Sequence, residues 1–145
     1  TPQMVINGGD GAIGSRAEEV RGLIEAAMAR EAQRSVRLTA RRLVQGGAAV
    51  EIAGTLPINL GTSAQISLLA LSRNEVVQIG RGENGGRRLA FANVLVAETG
   101  LGAWSGGPAT LAIPAAALRV PGADRYAVIA RVGAAGPVIA ARYLR

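Results

Sequence analysis

Two hydrophobic periods divide this chain. Val20, Leu23, Ile24, Ala27 and Met28 recur at i, i+3, i+4, i+7 and i+8, which gathers them into one stripe along a helix. Ser15-Arg16-Ala17-Glu18 has the form of a capping box, with the Ser15 hydroxyl accepting from the Glu18 N–H and the Glu18 carboxylate reaching back. Glu18 and Glu19 in the first turn and Arg30 and Arg34 near the last suit the helix dipole. The pattern predicts a helix from Arg16 to about Glu31. Gly22 inside it costs about 1 kcal/mol against Ala and suggests close packing on a sheet. Before the helix, Met4, Val5 and Ile6 lie between Pro2 and the turn residues Asn7-Gly8-Gly9. They predict a short strand that pairs with Gly11 to Gly14 as a hairpin.

From Val36 the period is two. Val36, Leu38 and Ala40 alternate with Arg37, Thr39 and Arg41, and Val50 and Ile52 alternate with Ala49, Glu51 and Ala53 across a Gln45-Gly46-Gly47 turn. Gln65 to Leu71 is apolar on both faces and reads as a central strand. Glu75 to Glu98 holds two strand patterns joined by a charged, glycine-rich loop and reads as the central hairpin of the sheet. Gly100 to Pro108, with Trp104, reads as a long loop, and Thr110 to Ile113 as a strand ended by Pro114. Tyr126 to Val132 and Val138 to Leu144 form a last hairpin. Strands at this spacing, with no further helix, predict an antiparallel sandwich or barrel. Its expected core is Val36, Leu38, Val50, Ile52, Ile66, Leu68, Phe91 and Val128.

Composition narrows the chemistry. Nearly half of the 145 residues are hydrophobic, yet the aromatics are one Phe, one Trp and two Tyr, so the core is aliphatic. There is no Cys and no His, which removes disulfides, thiolate nucleophiles, Cys/His metal sites and His-based triads from this chain. No cofactor or metal is expected. All sixteen basic residues are Arg against ten acids, a formal charge of +6. That balance raises binding to nucleic acid, anionic lipid or an acidic partner. The arginines come singly or in pairs and there are few aromatics to stack bases, so nucleic acid is disfavoured and a solvated surface is the plainer reading. No apolar run approaches the ~18 residues of a membrane span. The chain opens on Thr-Pro without Met, so a processed product or fragment is expected.

The densest polar chemistry is the loop between the paired strands. Gly80-Arg81-Gly82-Glu83-Asn84-Gly85 matches G-x-G-x-x-G, but a dinucleotide site needs a helix after it, and here a strand pattern follows. A softer reading is an anion-binding nest of glycine N–H groups with charge from Arg81, Arg87 and Arg88. The alternative is a wide hairpin loop whose charges, Arg81, Glu83, Asn84, Arg87 and Arg88 among its polar residues, are solvated or meet one another. Glu83 and Glu98 do not read as an acid/base pair, because nothing brings them together. Thr1 with its own α-amine would be a nucleophile only with polar helpers, and the chain has no Lys.

Taken together, TPQMVING, the Gly14-Ser15 helix start, IGRGENGGRRLAFANVL and LGAWSGG resemble an uncharacterised bacterial family of secreted, thioredoxin-like proteins classed as a domain of unknown function. The resemblance runs through nearly all of the chain. It implies an α+β architecture: residues 1–34 as the second half of a thioredoxin-like domain, strand-strand-helix, and residues 35–145 as the antiparallel β-domain. It places Thr1 and Pro2 in a cis-proline loop facing a cysteine motif, which this chain lacks, so they would line a substrate site only if another segment completed it. The implied function is a non-catalytic fragment or accessory subunit of an extracytoplasmic, periplasmic or secreted protein, acting by protein binding, within a larger envelope complex. The alternatives are the cis-Pro half of a thiol-disulfide oxidoreductase and anion or nucleic-acid binding through arginine. Residues 1–34 are expected to be incomplete alone and to need a missing N-terminal half or a partner chain.

Overall fold

The computed structural model describes residues 2–145. It begins with a short hairpin, β1 (Gln3–Val5) and β2 (Gly11–Ile13), followed by the one helix, α1 (Ala17–Ala32). Seven strands follow: β3 (Arg37–Arg42), β4 (Ala48–Ala53), β5 (Ala64–Gln78), β6 (Arg88–Trp104), β7 (Ala109–Ile113), β8 (Arg125–Val132) and β9 (Val138–Tyr143). They form a three-stranded sheet in the order β3-β4-β7 and a four-stranded sheet in the order β6-β5-β8-β9, with every pairing antiparallel.

The period-two pattern explains how these sheets enclose a core. Alternate side chains of a strand point to opposite faces, so Leu38, Val50, Ile52 and Ile113 from one sheet meet Ile66, Leu68, Trp104, Val128 and Ile139 from the other. Two seams draw the sheets together. β3 runs beside β9, where the Arg42 N–H donates to the Arg145 carbonyl (2.7 Å), and β6 runs beside β7. Val36 is half-buried against this core.

The expected partial thioredoxin-like, α+β architecture is not what the chain adopts. Strands make up 48% of the structure and helix 15%, and a lone helix beside a separate two-stranded sheet is not an α/β layer. The fold is mainly β. The helical stripe was read correctly as helix, but its setting differs in two ways. Arg16 occupies the cap position and no side chain caps the helix, so the Ser15 capping box does not form. Glu18 and Glu19 instead pair with Arg21 (2.8 Å) and Arg16 (3.3 Å) on the surface, where such pairs contribute little. Gly22 packs against nothing, since a Cβ there would meet no atom within 4 Å.

Two further expectations change. Gly100 to Trp104 is strand, not loop, because β6 continues through Gly100 and Gly102 to Trp104, which is buried and donates its indole N–H to the Gly107 carbonyl (2.8 Å). Phe91 is 44% exposed rather than in the core. The reason is topological. β8 accompanies β5 only as far as Leu71, so beyond that point the sheet narrows to two strands and no opposing layer remains.

Candidate functional site

Three places carry the candidate chemistry: the tip of the β5–β6 hairpin, the first residues, and the seam between the N-terminal unit and the β-domain. The tip is a tight glycine turn. Its backbone closes on itself: Gly85 N–H donates to Gly82 carbonyl (2.9 Å), Gly86 N–H to Ile79 carbonyl (2.8 Å) and Arg87 N–H to Asn84 carbonyl (3.1 Å). Gly82 (φ 90°) and Gly86 (φ 80°) take left-handed conformations that favour glycine. Three consecutive N–H groups, those of Gly85, Gly86 and Arg87, thus have carbonyl partners and are not free for an anion. Arg87 donates to the Asn84 side-chain oxygen (3.0 Å). Arg81, Glu83, Asn84, Arg87 and Arg88 are all exposed, and β6 starts at Arg88. A strand rather than a helix follows the glycines, which leaves no dinucleotide site.

The two carboxylates stay apart. Glu83 sits at the tip. Glu98 lies on β6 opposite Leu69, where its Oε1 accepts from the Arg131 guanidinium (2.9 Å). At about 3.3 Å per strand residue, the stretch from Arg88 to Glu98 alone spans roughly 33 Å, and no acid/base pair is formed. Thr1 and the Thr1–Pro2 bond lie outside the described residues. Pro2 is exposed, and its carbonyl accepts from the Gly14 N–H (2.7 Å). Among the described residues no group of three or more Asp or Glu is placed to hold a metal. No helix of the structure is long and apolar enough to cross a membrane.

The seam is what sequence reasoning missed. The Val138 N–H donates to the Asn7 carbonyl (2.8 Å), and Arg34 reaches the Val138 carbonyl (3.2 Å). Arg30 pairs with Asp10 (2.7 Å) across the helix–hairpin corner. Two open clefts of about 340 and 230 Å³ flank this seam and share Arg30, Arg34 and Leu60 in their walls. Their other polar linings are Gln, Asn, Ser, Thr and the paired Asp10, with no nucleophile–base couple. No local sequence signal joins Asn7 to Val138, 131 positions apart on the chain.

The N-terminal unit is also unfinished on its own surface. β1 pairs with β2 and with no other strand, and all three of its residues are exposed, Met4 at 44% and Val5 at 57%. Of the helical stripe, Ala27 is buried, but Ile24 (40%) and Met28 (65%) face solvent.

These features define a class: a mainly-β protein with a closed, largely aliphatic core, an open-sided N-terminal hairpin and helix, and a protruding two-stranded arm. Residues 1–131 match the family described as Protein of unknown function (DUF1223), and the chain belongs to that family. Among curated proteins none matches the sequence. An X-ray crystal structure of a protein from Agrobacterium tumefaciens is similar, with a TM-score of 0.74 at 17% identity. The likeness covers 99% of this chain and 61% of that one. It shows a shared fold, and this chain spans about three-fifths of that protein's length.

Proposed function

We propose that this chain acts by binding protein and carries no catalytic centre of its own, serving as an accessory or structural module completed by another polypeptide in an extracytoplasmic assembly. One observation carries the reading: β1 has an open edge and three exposed side chains, beside a helix whose Ile24 and Met28 are bare. A three-residue strand paired on one side is marginal alone, and buried apolar surface is what stabilises such a unit. The similar Agrobacterium chain is longer than this one, which supports a completing polypeptide of some kind. The extracytoplasmic setting rests on the family resemblance.

Hydrogen exchange on the 145-residue chain tests this. The amides of residues 3–13 and 17–32 should exchange far faster than those of β5 and β8, because local opening frees them without unfolding the core. Exchange as slow as that of β5 would mean the unit is complete and would remove the proposal.

A further inference from the structure

The protruding arm points to a second copy of this chain. Beyond Leu71, residues Ser72 to Gln78 of β5 pair only with Arg88 to Val94 of β6. Residues directly opposite in an antiparallel ladder share a face. The face that continues the outer side of the sheet therefore carries Leu71 with Leu95, Glu75 with Phe91 and Val77 with Leu89 as opposed pairs, with Arg73 and Asn93 between the first two. Leu71 is only 7% exposed, and Arg125, opposite it on β8, reaches the Asn93 side chain (2.8 Å). Leu95 (53% exposed), Phe91 (44%) and Val77 (44%) stand bare there. Glu75 has no basic partner among the described residues, and Arg73 has only Asp124 at 4.0 Å.

This face is complementary to itself. Let two arms pack face to face, antiparallel, about a two-fold axis at Asn74. Leu89 then lies over Leu95 of the other copy and Val77 over its largely buried Leu71, while Glu75 lies over Arg73 and Phe91 over Asn93. One rung further out, Arg87, whose carbonyl receives the Ile79 N–H, comes over Glu98, which shares its rung with Leu69. Shifting the registration by one rung on this face sets Glu75 against Glu75 or Arg73 against Arg73. The Val77–Leu89 rung thus meets the Leu71–Leu95 rung and acids meet bases in this registration, the matching an isologous contact requires. Packed sheets stand about 10 Å apart, within reach of Arg and Glu side chains. We propose that this chain forms a two-fold dimer through the outer face of its arm, with Leu89 and Leu95 as anchors and the Glu75–Arg73 pairs fixing the registration.

Sedimentation equilibrium on the full chain is the test. The expected mass is twice 14.8 kDa. Leu89→Glu with Leu95→Glu should give a monomer with an unchanged far-ultraviolet spectrum. The charge swap is made in an Asp124→Asn background, which keeps the oxygen that accepts from the Arg73 N–H (2.8 Å). There, Glu75→Arg or Arg73→Glu alone should each weaken association by about tenfold or more, and the two together should restore it. A chain that stays monomeric overturns the proposal, whatever else the arm binds. So does a dimer that ignores the arm substitutions or is lost only with Met28→Glu.

Discussion

One strand of this protein lives in two environments. Residues 64–71 of β5 sit between β6 and β8, with Ala64, Ile66, Leu68 and Ala70 in the core. Residues 73–78 of the same strand are exposed, with β6 on one side and solvent on the other. The first half has Ile66 and the second Val76 and Val77 as their β-branched residues, and both form the ladder. What differs is the layer above them. The first half faces β3, β4 and β7, and the second faces nothing in its own chain. Strand formation and core formation are separate events: the ladder needs one partner strand, whereas burial needs an opposing sheet.

The largest test of that contrast is a pair of truncations. Leu68 is 1% exposed, so Leu68→Ala removes buried methyl groups and leaves a cavity, at an expected cost of about 2–5 kcal/mol. Phe91 is a larger side chain but sits on the arm, and Phe91→Ala should cost the monomer under about 1 kcal/mol. Urea melts of the two variants, at a concentration where sedimentation shows monomer, check the difference. Similar losses would mean that the arm packs on something in its own chain, and the two-environment account of β5 would be wrong.

The same contrast shows how much could be read from the residues. Alternation at Leu38, Val50 and Ile52, and the apolar runs that hold Ile66, Leu68 and Val128, pointed to core residues, the alternation because period two is set by the backbone itself. Phe91 carried the same signal and failed, because alternation names a face and does not say whether a layer covers it. Gly100 and Gly102 looked like loop residues, yet they lie within β6, where Gly102 takes φ 146° beside the Leu111 side chain. Ser15 had the sequence of a cap, but the turn before α1 puts Arg16 in that position. The expected membership of a family of unknown function holds, while the thioredoxin-like fold expectation misled. At the hairpin tip, the glycines and arginines marked the turn. Whether their N–H groups were free could be known only from the turn's own hydrogen bonds. The matching of Glu75 with Arg73 depends on which residues share a rung, and that depends on a ladder register no local pattern states.

A middle-sized effect probes the link between the N-terminal unit and the β-domain. Gly54 ends β4 with φ 127°, and a Cβ there would collide with the Ser35 carbonyl. Ser35 is the residue through which the chain leaves the helix, and its hydroxyl accepts from the Thr55 N–H (3.2 Å). Gly54→Ala should therefore destabilise the protein by roughly 1–3 kcal/mol, less than Leu68→Ala and more than Phe91→Ala. A neutral result in thermal melts would show that the crossing of residues 35 and 54 yields without cost.

The smallest effect separates the helix from the core most finely. Gly22 lies in the middle of α1, is exposed, and has open space where its Cβ would be. Gly22→Ala restricts the unfolded chain and suits the helix, a gain of about 0.8–1 kcal/mol. Where that gain is seen depends on how the two regions are coupled. If α1 opens on its own, as its bare Ile24 and Met28 imply, the amides of residues 20–30 should become protected by about fourfold. The unfolding midpoint of the β-domain should then stay where it was, because the core never senses the helix. If the helix and core unfold together, the full gain appears instead as a higher global midpoint, a few degrees in a chain of this size. Amide exchange and a thermal melt on one variant therefore decide whether the N-terminal unit is an independent, weakly held piece awaiting a partner or a built-in part of the β-domain.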